Sequence, residues 1–286
     1  MENGSTHRPH IAIIGAGIGG LALAIGLTRQ NVGYTIYEAA PTFSAIGAGI
    51  ALGPNSLCAM DLIDPTLREL YNNISTGNET PGKEHVFADF LLAEPGFGVN
   101  QGWEGAPVGS KDFTKSGAHR KDLLDIMKQR FPTTNVRFSK RAVEVRQSGR
   151  KVRILFADGE VVEADAVVGC DGGKGVTRPA VLATDYPEHV AAKYSGRYVY
   201  RAVIPPGEAQ KALGKYAGDG KMFLGPGHYL AMYRMSGGRS NLVASRQKGE
   251  PWTHSQWTEE VTREEMLADF DGCDPRLVKL LEVSDN

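Results

Sequence analysis

The rhythm of hydrophobic and polar positions changes several times along the chain, and each change predicts an element. Residues 10–14 (HIAII) are a short apolar run of strand length, residues 15–20 a glycine-rich turn, and residues 21–30 a helix rich in Ala and Leu. Residues 34–38 (YTIYE), β-branched and aromatic, read as a second strand. Strand, turn, helix and strand make a βαβ unit of parallel type, so the architecture opens as α/β.

Beyond it, residues 44–56 form a glycine-rich loop and residues 57–70 a helix with a break at Pro65. The Asn-, Ser-, Thr-, Gly- and Pro-rich stretch 72–82 marks a surface connection and a crossing between lobes. Strands are predicted over 85–92 and 98–104, then a helix over 120–130 that places Leu123, Leu124 and Met127 on one stripe. Short strands follow over 137–139, 142–146, 151–156 and 160–163, with residues 157–160 as a hairpin turn. Residues 166–169 (AVVG) read as a buried strand running into the turn CDGGKG. Alternation over 193–204, 221–224, 229–235 and 241–245 predicts an antiparallel sheet, and residues 259–281 a helical tail interrupted at 272–275. The expected division is a nucleotide-binding domain (1–80 and 105–187), a sheet lobe (81–104 and 188–255) and a C-terminal helical segment (256–286).

At 286 residues the chain exceeds the usual single-domain size, which fits two lobes. Lys plus Arg number 32 against 33 Asp plus Glu, a balance that gives no electrostatic reason to expect nucleic acid or an anionic membrane. Three well-separated cysteines, Cys58, Cys170 and Cys273, suit neither a disulfide framework nor a metal knuckle, and point to the reducing cytoplasm. The uncharged run 11–27 contains five glycines in 17 positions and falls short of the ~20 residues a bilayer requires. It also lacks the basic start and small-residue cleavage site of a secretion signal. A phosphate-binding turn is the remaining reading.

Gly15-Ala16-Gly17-Ile18-Gly19-Gly20 has the spacing GxGxxG, with glycines for the tight turn, for backbone approach to a pyrophosphate and for helix packing. The helix N-terminus behind it offers free N–H groups to an anion. Glu38 follows Gly20 by 18 residues, where a carboxylate can accept from adenosine ribose hydroxyls and would repel a 2′-phosphate. NADP is thereby disfavoured at this turn, and FAD or NAD remains. His7 and His10 share HxxH spacing without Cys or carboxylate support, so no metal site is expected.

Two further elements follow the glycine turn in order: His119-Arg120-Lys121-Asp122-Leu123-Leu124 at a helix start, and Gly169-Cys170-Asp171-Gly172-Gly173 with Arg178 after a strand. Ile46-Gly47-Ala48-Gly49-Ile50 with Pro54-Asn55, Tyr200-Arg201, and Gly225-Pro226 followed by Tyr233 join them. From about Ile11 to about Ser245 this set resembles the single-component FAD-dependent aromatic hydroxylases, above all salicylate hydroxylases and fungal phenol-dearomatising monooxygenases. The resemblance implies a Rossmann-like FAD-binding domain with a parallel sheet and an inserted antiparallel-sheet substrate lobe. It implies hydroxylation of a phenolic or aromatic-acid substrate through a flavin hydroperoxide, with bound FAD, NADH or NADPH as donor, and O2. Gly15, Gly17 and Gly20 would hold the pyrophosphate, Glu38 the ribose, and Arg120 the region between ribityl chain and pyrophosphate. Asp171 and Gly172 would form a turn beside the cofactor, Gly47 to Ile50 would lie near the isoalloxazine, and Arg201 and Tyr233 would contact the phenolate.

Family members continue beyond this length through a Gly-Asp motif that opens a helix beneath the flavin. The pair Gly218-Asp219 has neither an apolar strand before it nor a helix after it. A C-terminally truncated relative is therefore expected, with an exposed apolar sheet face covered by a partner or a second copy. Two other readings stand beside the monooxygenase: a catalytically impaired relative that binds only nucleotide or a partner, and an NAD-dependent dehydrogenase. Against the latter, no Tyr-x-x-x-Lys constellation is visible.

Overall fold

The structure, a computed structural model, describes residues 8–43, 49–249, 251–253 and 256–284. His7 and residues 46–48 of the glycine-rich loop lie outside the described residues. In chain order the first elements are β1 (His10–Ile14), α1 (Ile18–Arg29), β2 (Gly33–Tyr37), β3 (Gly49–Ala51), α2 (Pro54–Ile63) and α3 (Pro65–Ile74). Then come β4 (Val86–Leu92), β5 (Ala106–Gly109), β6 (Gly117–His119), α4 (Arg120–Lys128) and β7 (Val136–Arg137). They are followed by β8 (Ala142–Ser148), β9 (Lys151–Phe156), β10 (Val161–Ala164), β11 (Ala166–Gly169) and α5 (Thr177–Leu182). The last are β12 (Arg197–Ile204), α6 (Glu208–Leu213), β13 (Lys221–Gly225), β14 (His228–Arg234), β15 (Ser240–Gln247), α7 (Arg263–Ala268) and α8 (Pro275–Glu282). Among the described residues no helix is long and apolar enough to cross a membrane.

Two compact units result. The described part of the first comprises residues 8–43, 60–68 and 123–193. Its main sheet has the order β11-β1-β2-β7 with every pairing parallel, as the βαβ pattern predicts. A three-stranded antiparallel sheet, β10-β9-β8, adds Ile154, Phe156 and Ala164 to a core shared with Ala12, Ile14 and Tyr37. The break at Pro65 appears as the boundary of α2 and α3, where Asp64 Oδ1 accepts the Thr66 N–H at 3.1 Å. One expectation is corrected in this unit. β11 is an edge strand rather than a buried one: among the described residues it pairs with β1 alone, and Val168 is 37% exposed.

The second unit, residues 49–59, 69–122 and 194–284 among those described, is built on a six-stranded sheet ordered β12-β15-β14-β13-β4-β5. All its pairings are antiparallel except β13 with β4. One face supplies Ala202, Ile204, Leu230, Met232, Leu242 and Phe223 to a core completed by Leu213, Met266, Phe270, Leu277 and Leu280 from the 208–281 helices. The tail expected as a separate helical segment is thus part of this core, because α8 buries Leu277, Leu280 and Leu281.

Alternation along the strands puts Arg201, Val243, Ala231, Met222 and Phe90 in one cross-strand row on the opposite face. Val203, Asn241 and Tyr233 form the next row.

Two more expectations change here. The strand predicted over 98–104 is a 3-10 turn at Val99–Gln101, since Gly98 (φ +92°) and Gly102 (φ +74°) take left-handed conformations that break extended pairing; the strand lies at β5 instead. In place of one lobe boundary at residue 80, residues 49–59 group with the second unit, 60–68 with the first, and 69–122 with the second again. Asn78 Oδ1 accepts from the Gly220 N–H, and Asp219 accepts from the Glu79 and Thr80 N–H groups, which ties the 72–82 connection to the sheet unit. Helices α5 and α6 and the small β3–β6 pairing have no counterpart in the pattern reading.

Candidate functional site

In the first unit the glycine turn joins the end of β1 to α1 at the carboxyl edge of the parallel sheet. Gly15 N–H donates to Tyr37 O and Cys170 N–H to Ile14 O, each at 2.8 Å, so the turn is tied to both neighbouring strands. A Cβ on Gly15, whose φ is +101°, would lie 2.4 Å from Cys170 O, and one on Gly20 would lie 2.0 Å from Gly15 O. These two glycines are packing requirements. Around Gly17, the N-cap of α1, a Cβ would meet nothing within 4 Å. The open position lies beside the first N–H groups of the helix, which have no intrahelical acceptor. A phosphate fits such a cradle.

The Glu38 carboxylate is oriented by two backbone donors, Ala16 N–H to Oε2 at 2.7 Å and Ala40 N–H to Oε1 at 2.8 Å. It links β2 to the glycine turn and retains lone pairs for hydroxyl donors. Asp171 is less available. Its carboxylate accepts the Thr177 N–H at 3.1 Å and the Thr177 hydroxyl, holding the 170–177 turn against α5. Gly172, at φ +78°, has nothing within 4 Å of a Cβ, so its backbone faces open space. Burial, and then the Asp171 charge, raises the Cys170 thiol pKa, which keeps it protonated.

In the second unit, Tyr233 organises the open end of the sheet. Gly49 N–H donates to Asn241 Oδ1 at 2.8 Å, and a Cβ on Gly49 would lie 2.5 Å from Met235 Sδ and 2.9 Å from the Tyr233 hydroxyl. Gly117, on the strand paired with β3, leaves the same kind of room: its Cβ would be 2.9 Å from Tyr233 Cδ2. Burial pushes the Tyr233 pKa up to about 12; the Arg201 charge opposes this and Tyr71 adds to it. At neutral pH the hydroxyl is therefore a hydrogen-bond donor. Arg201 itself is exposed on β12. Arg120 opens α4, whose first turn is fixed by Asp122: Ser236 Oγ lies 3.3 Å and Arg239 Nη2 3.6 Å from its carboxylate.

The structure thus groups Gly15, Gly17, Gly20, Glu38, Asp171 and Gly172 in one unit, and Gly49, Arg120, Arg201 and Tyr233 in the other. Three neighbours of Tyr233 escape the sequence reading. Asn241 and Met235 carry no motif, although glycine at position 49 signals a close approach. Lys115 sits in a polar stretch, KDFTKSG, that reads as a surface loop, yet it is 5% exposed. A separate cleft of about 360 Å³, lined by Glu94, His228 and Asp271 among others, contains none of these residues.

A glycine cradle at the carboxyl edge of a parallel sheet, closed by a carboxylate just past the second strand, is the arrangement of a dinucleotide-binding α/β fold. No family model matches the sequence. Among curated proteins, an FAD-dependent monooxygenase of Gibberella moniliformis is 40% identical over 269 residues, covering 92% of this chain and 61% of that protein. The 6-methylsalicylate 1-monooxygenase of Aspergillus terreus is 34% identical (93% of this chain, 60% of that protein), and the salicylate hydroxylase of Pseudomonas putida 31% (95% and 64%). The chain is homologous to these FAD-dependent aromatic monooxygenases, and it spans about 60% of the length of the first two. Among solved structures, a salicylate hydroxylase substrate complex superposes with TM-score 0.76 at 21% identity, covering 98% of this chain and 67% of that one. The 2,6-dihydroxypyridine-3-hydroxylase of Arthrobacter nicotinovorans gives 0.77 at 20% identity (98% and 71%), so the fold is that of the class A flavoprotein hydroxylases.

Proposed function

We propose that this protein is an FAD-dependent monooxygenase that hydroxylates a small phenolic or aromatic-acid substrate, using NADH or NADPH and O2. The observation that carries the reading is the presence, in one chain, of an open phosphate cradle at Gly17 and a sheet face presenting Arg201 with the protonated Tyr233 hydroxyl. The naming of several homologues as FAD-dependent monooxygenases supports FAD over NAD in the cradle and an oxygenase over a dehydrogenase. FAD, when bound, carries electrons from the pyridine nucleotide to oxygen and delivers one oxygen atom to the aromatic ring.

The chain's own residues have three tasks. The first unit binds the cofactor: Gly15 and Gly20 shape the turn, Gly17 admits the pyrophosphate to the α1 amides, and Glu38 accepts from the ribose. Asp171 holds the turn in which Gly172 exposes its backbone. The second unit binds the substrate. Arg201 favours the ionised phenolate, whose ring is far more nucleophilic than a phenol of pKa about 10. Tyr233 donates its O–H to the same oxygen and fixes the ring. The third task, keeping water from the reacting centre, falls to the apolar row of Val243, Ala231, Met222 and Phe90. Free thiols at Cys58, Cys170 and Cys273 suit the cytoplasm.

The test is nucleotide oxidation by the FAD-loaded protein over a panel of phenols and aromatic acids. At least one compound stimulates NADH or NADPH oxidation and is recovered heavier by one oxygen atom. A loaded protein that oxidises neither nucleotide with any of them overturns the reading.

A further inference from the structure

Lys115 belongs to the second unit and has no part in the roles assigned above. Its side chain is almost wholly buried, at 5% exposure, and its Nζ lies over two aromatic rings, 4.4 Å from the centroid of Phe87 and 5.0 Å from that of Tyr233. Among the described residues no carboxylate and no hydrogen-bond acceptor meets this nitrogen. Lysine is almost never buried without a partner, because an ammonium taken from water loses far more than two ring faces return. Burial alone lowers its pKa to about 8, the direction expected of a cation without a counter-charge.

Two glycines accommodate these side chains: a Cβ on Gly220 would lie 3.2 Å from Lys115 Cε and 3.4 Å from Nζ, and one on Gly117 2.9 Å from Tyr233 Cδ2. Over the Tyr233 ring, Lys115 is a second cation beside the phenol that the functional reading makes the substrate's hydrogen-bond donor, and Arg201 is the first. Two cations around one neutral donor match a ligand with two acidic groups. A phenol with one ionisable oxygen would leave one of them unanswered.

Resting on the reading that Tyr233 and Arg201 hold the substrate phenolate, we propose that Lys115 Nζ receives a substrate carboxylate. Lys115 is then a specificity residue that selects a hydroxybenzoate-type acid over the corresponding simple phenol. The substrate supplies the anion that the fold withholds, and the pair forms where water is excluded. Its hydrogen bonds are of the strong, charge-assisted kind.

Calorimetric binding of salicylate and of phenol to the FAD-loaded protein tests this without turnover, using wild type, Lys115→Met and Lys115→Arg. The wild type binds salicylate more tightly than phenol. Lys115→Met weakens salicylate about 10- to 100-fold and leaves phenol nearly unchanged, the scale of a lost hydrogen bond between charged groups. Lys115→Arg, which keeps the charge, restores part of the preference, and a circular-dichroism melt confirms that each variant is folded. If folded Lys115→Met retains the wild-type preference for salicylate, Lys115 does not select the acid, although the functional reading stands. If the wild-type protein binds neither compound, the functional reading itself falls and this assignment with it.

Discussion

Two lysines of the same unit are buried to the same degree and live in opposite surroundings. Lys221, 4% exposed at the start of β13, lies 2.5 Å from Asp89 Oδ2 and 3.2 Å from Asp219 Oδ2, and Lys83 reaches Asp89 at 2.6 Å. Burial works against both carboxylates, yet hydrogen bonds from the lysines, and from Thr80 to Asp219, hold each below its usual pKa. Lys115 has two aromatic faces and no anion. The paired lysine belongs to the fold: Asp219 also binds the Glu79 and Thr80 amides and so fastens the 72–82 connection to the sheet. The unpaired one carries a cost that two ring faces offset only in part, as expected of a residue kept for a ligand.

The contrast is broken most severely by Lys221→Met. Removing this lysine leaves two buried carboxylates to share Lys83, 2.6 Å from Asp89 and 3.7 Å from Asp219, and unfolding in urea should show a loss of about 3 kcal/mol. Asp219→Asn keeps the shape but loses the charge on four interactions, those with the Glu79 and Thr80 amides, the Thr80 hydroxyl and Lys221. The same denaturation measurement should register about 2 kcal/mol, the scale of hydrogen bonds to a charged group.

A pH series sharpens the comparison from the other side. The Lys115 pKa is about 8 in the folded chain against an ordinary 10.5, so between these values the unfolded chain binds more protons and stability rises with pH. The cost of the buried ammonium is complete below pH 8 and is relieved above it. Urea midpoints taken at pH 7.5 and 9.5 should show a gain on the order of 1–2 kcal/mol in wild type relative to Lys115→Met. Tyr233, at about 12, stays protonated over this interval and does not contribute. The smallest effect is that of Lys115→Met itself at neutral pH. A chain of similar volume without the charge should leave stability within about 1 kcal/mol of wild type or raise it, in contrast to the loss at position 221. A large loss at 115 would place both lysines in the same structural class.

How much of this was legible in the sequence differs between the two units. The parallel βαβ segment, the GxGxxG turn and Glu38 are read from local spacing, because the chemistry of a phosphate turn is confined to consecutive residues. Their geometry follows the reading: Gly15 and Gly20 are closed in by backbone, and Gly17 is open. The sheet face proposed for the substrate is assembled from strands that cross-strand register alone brings together, so Arg201 and Tyr233 needed the family resemblance and Lys115 and Asn241 could not be found. The misread strand at 98–104 has a local cause, in glycines whose left-handed conformations only the folded chain reveals. The division of residues 49–122 between the units and the docking of α8 depend on long-range packing that has no periodic signature. AVVG looked buried because it is apolar; at the sheet edge beside β1, it is not.

FAD binding at the 15–20 turn is measured most directly by titrating FAD into the purified protein while following the flavin's visible spectrum, with Gly20→Ala as the comparison. The added methyl would sit 2.0 Å from Gly15 O and force the turn out of shape. A saturable spectral change in wild type that is lost or greatly weakened in folded Gly20→Ala is the expected result. No binding by wild type, or equal binding by the two proteins, would contradict the assignment of this turn to the flavin.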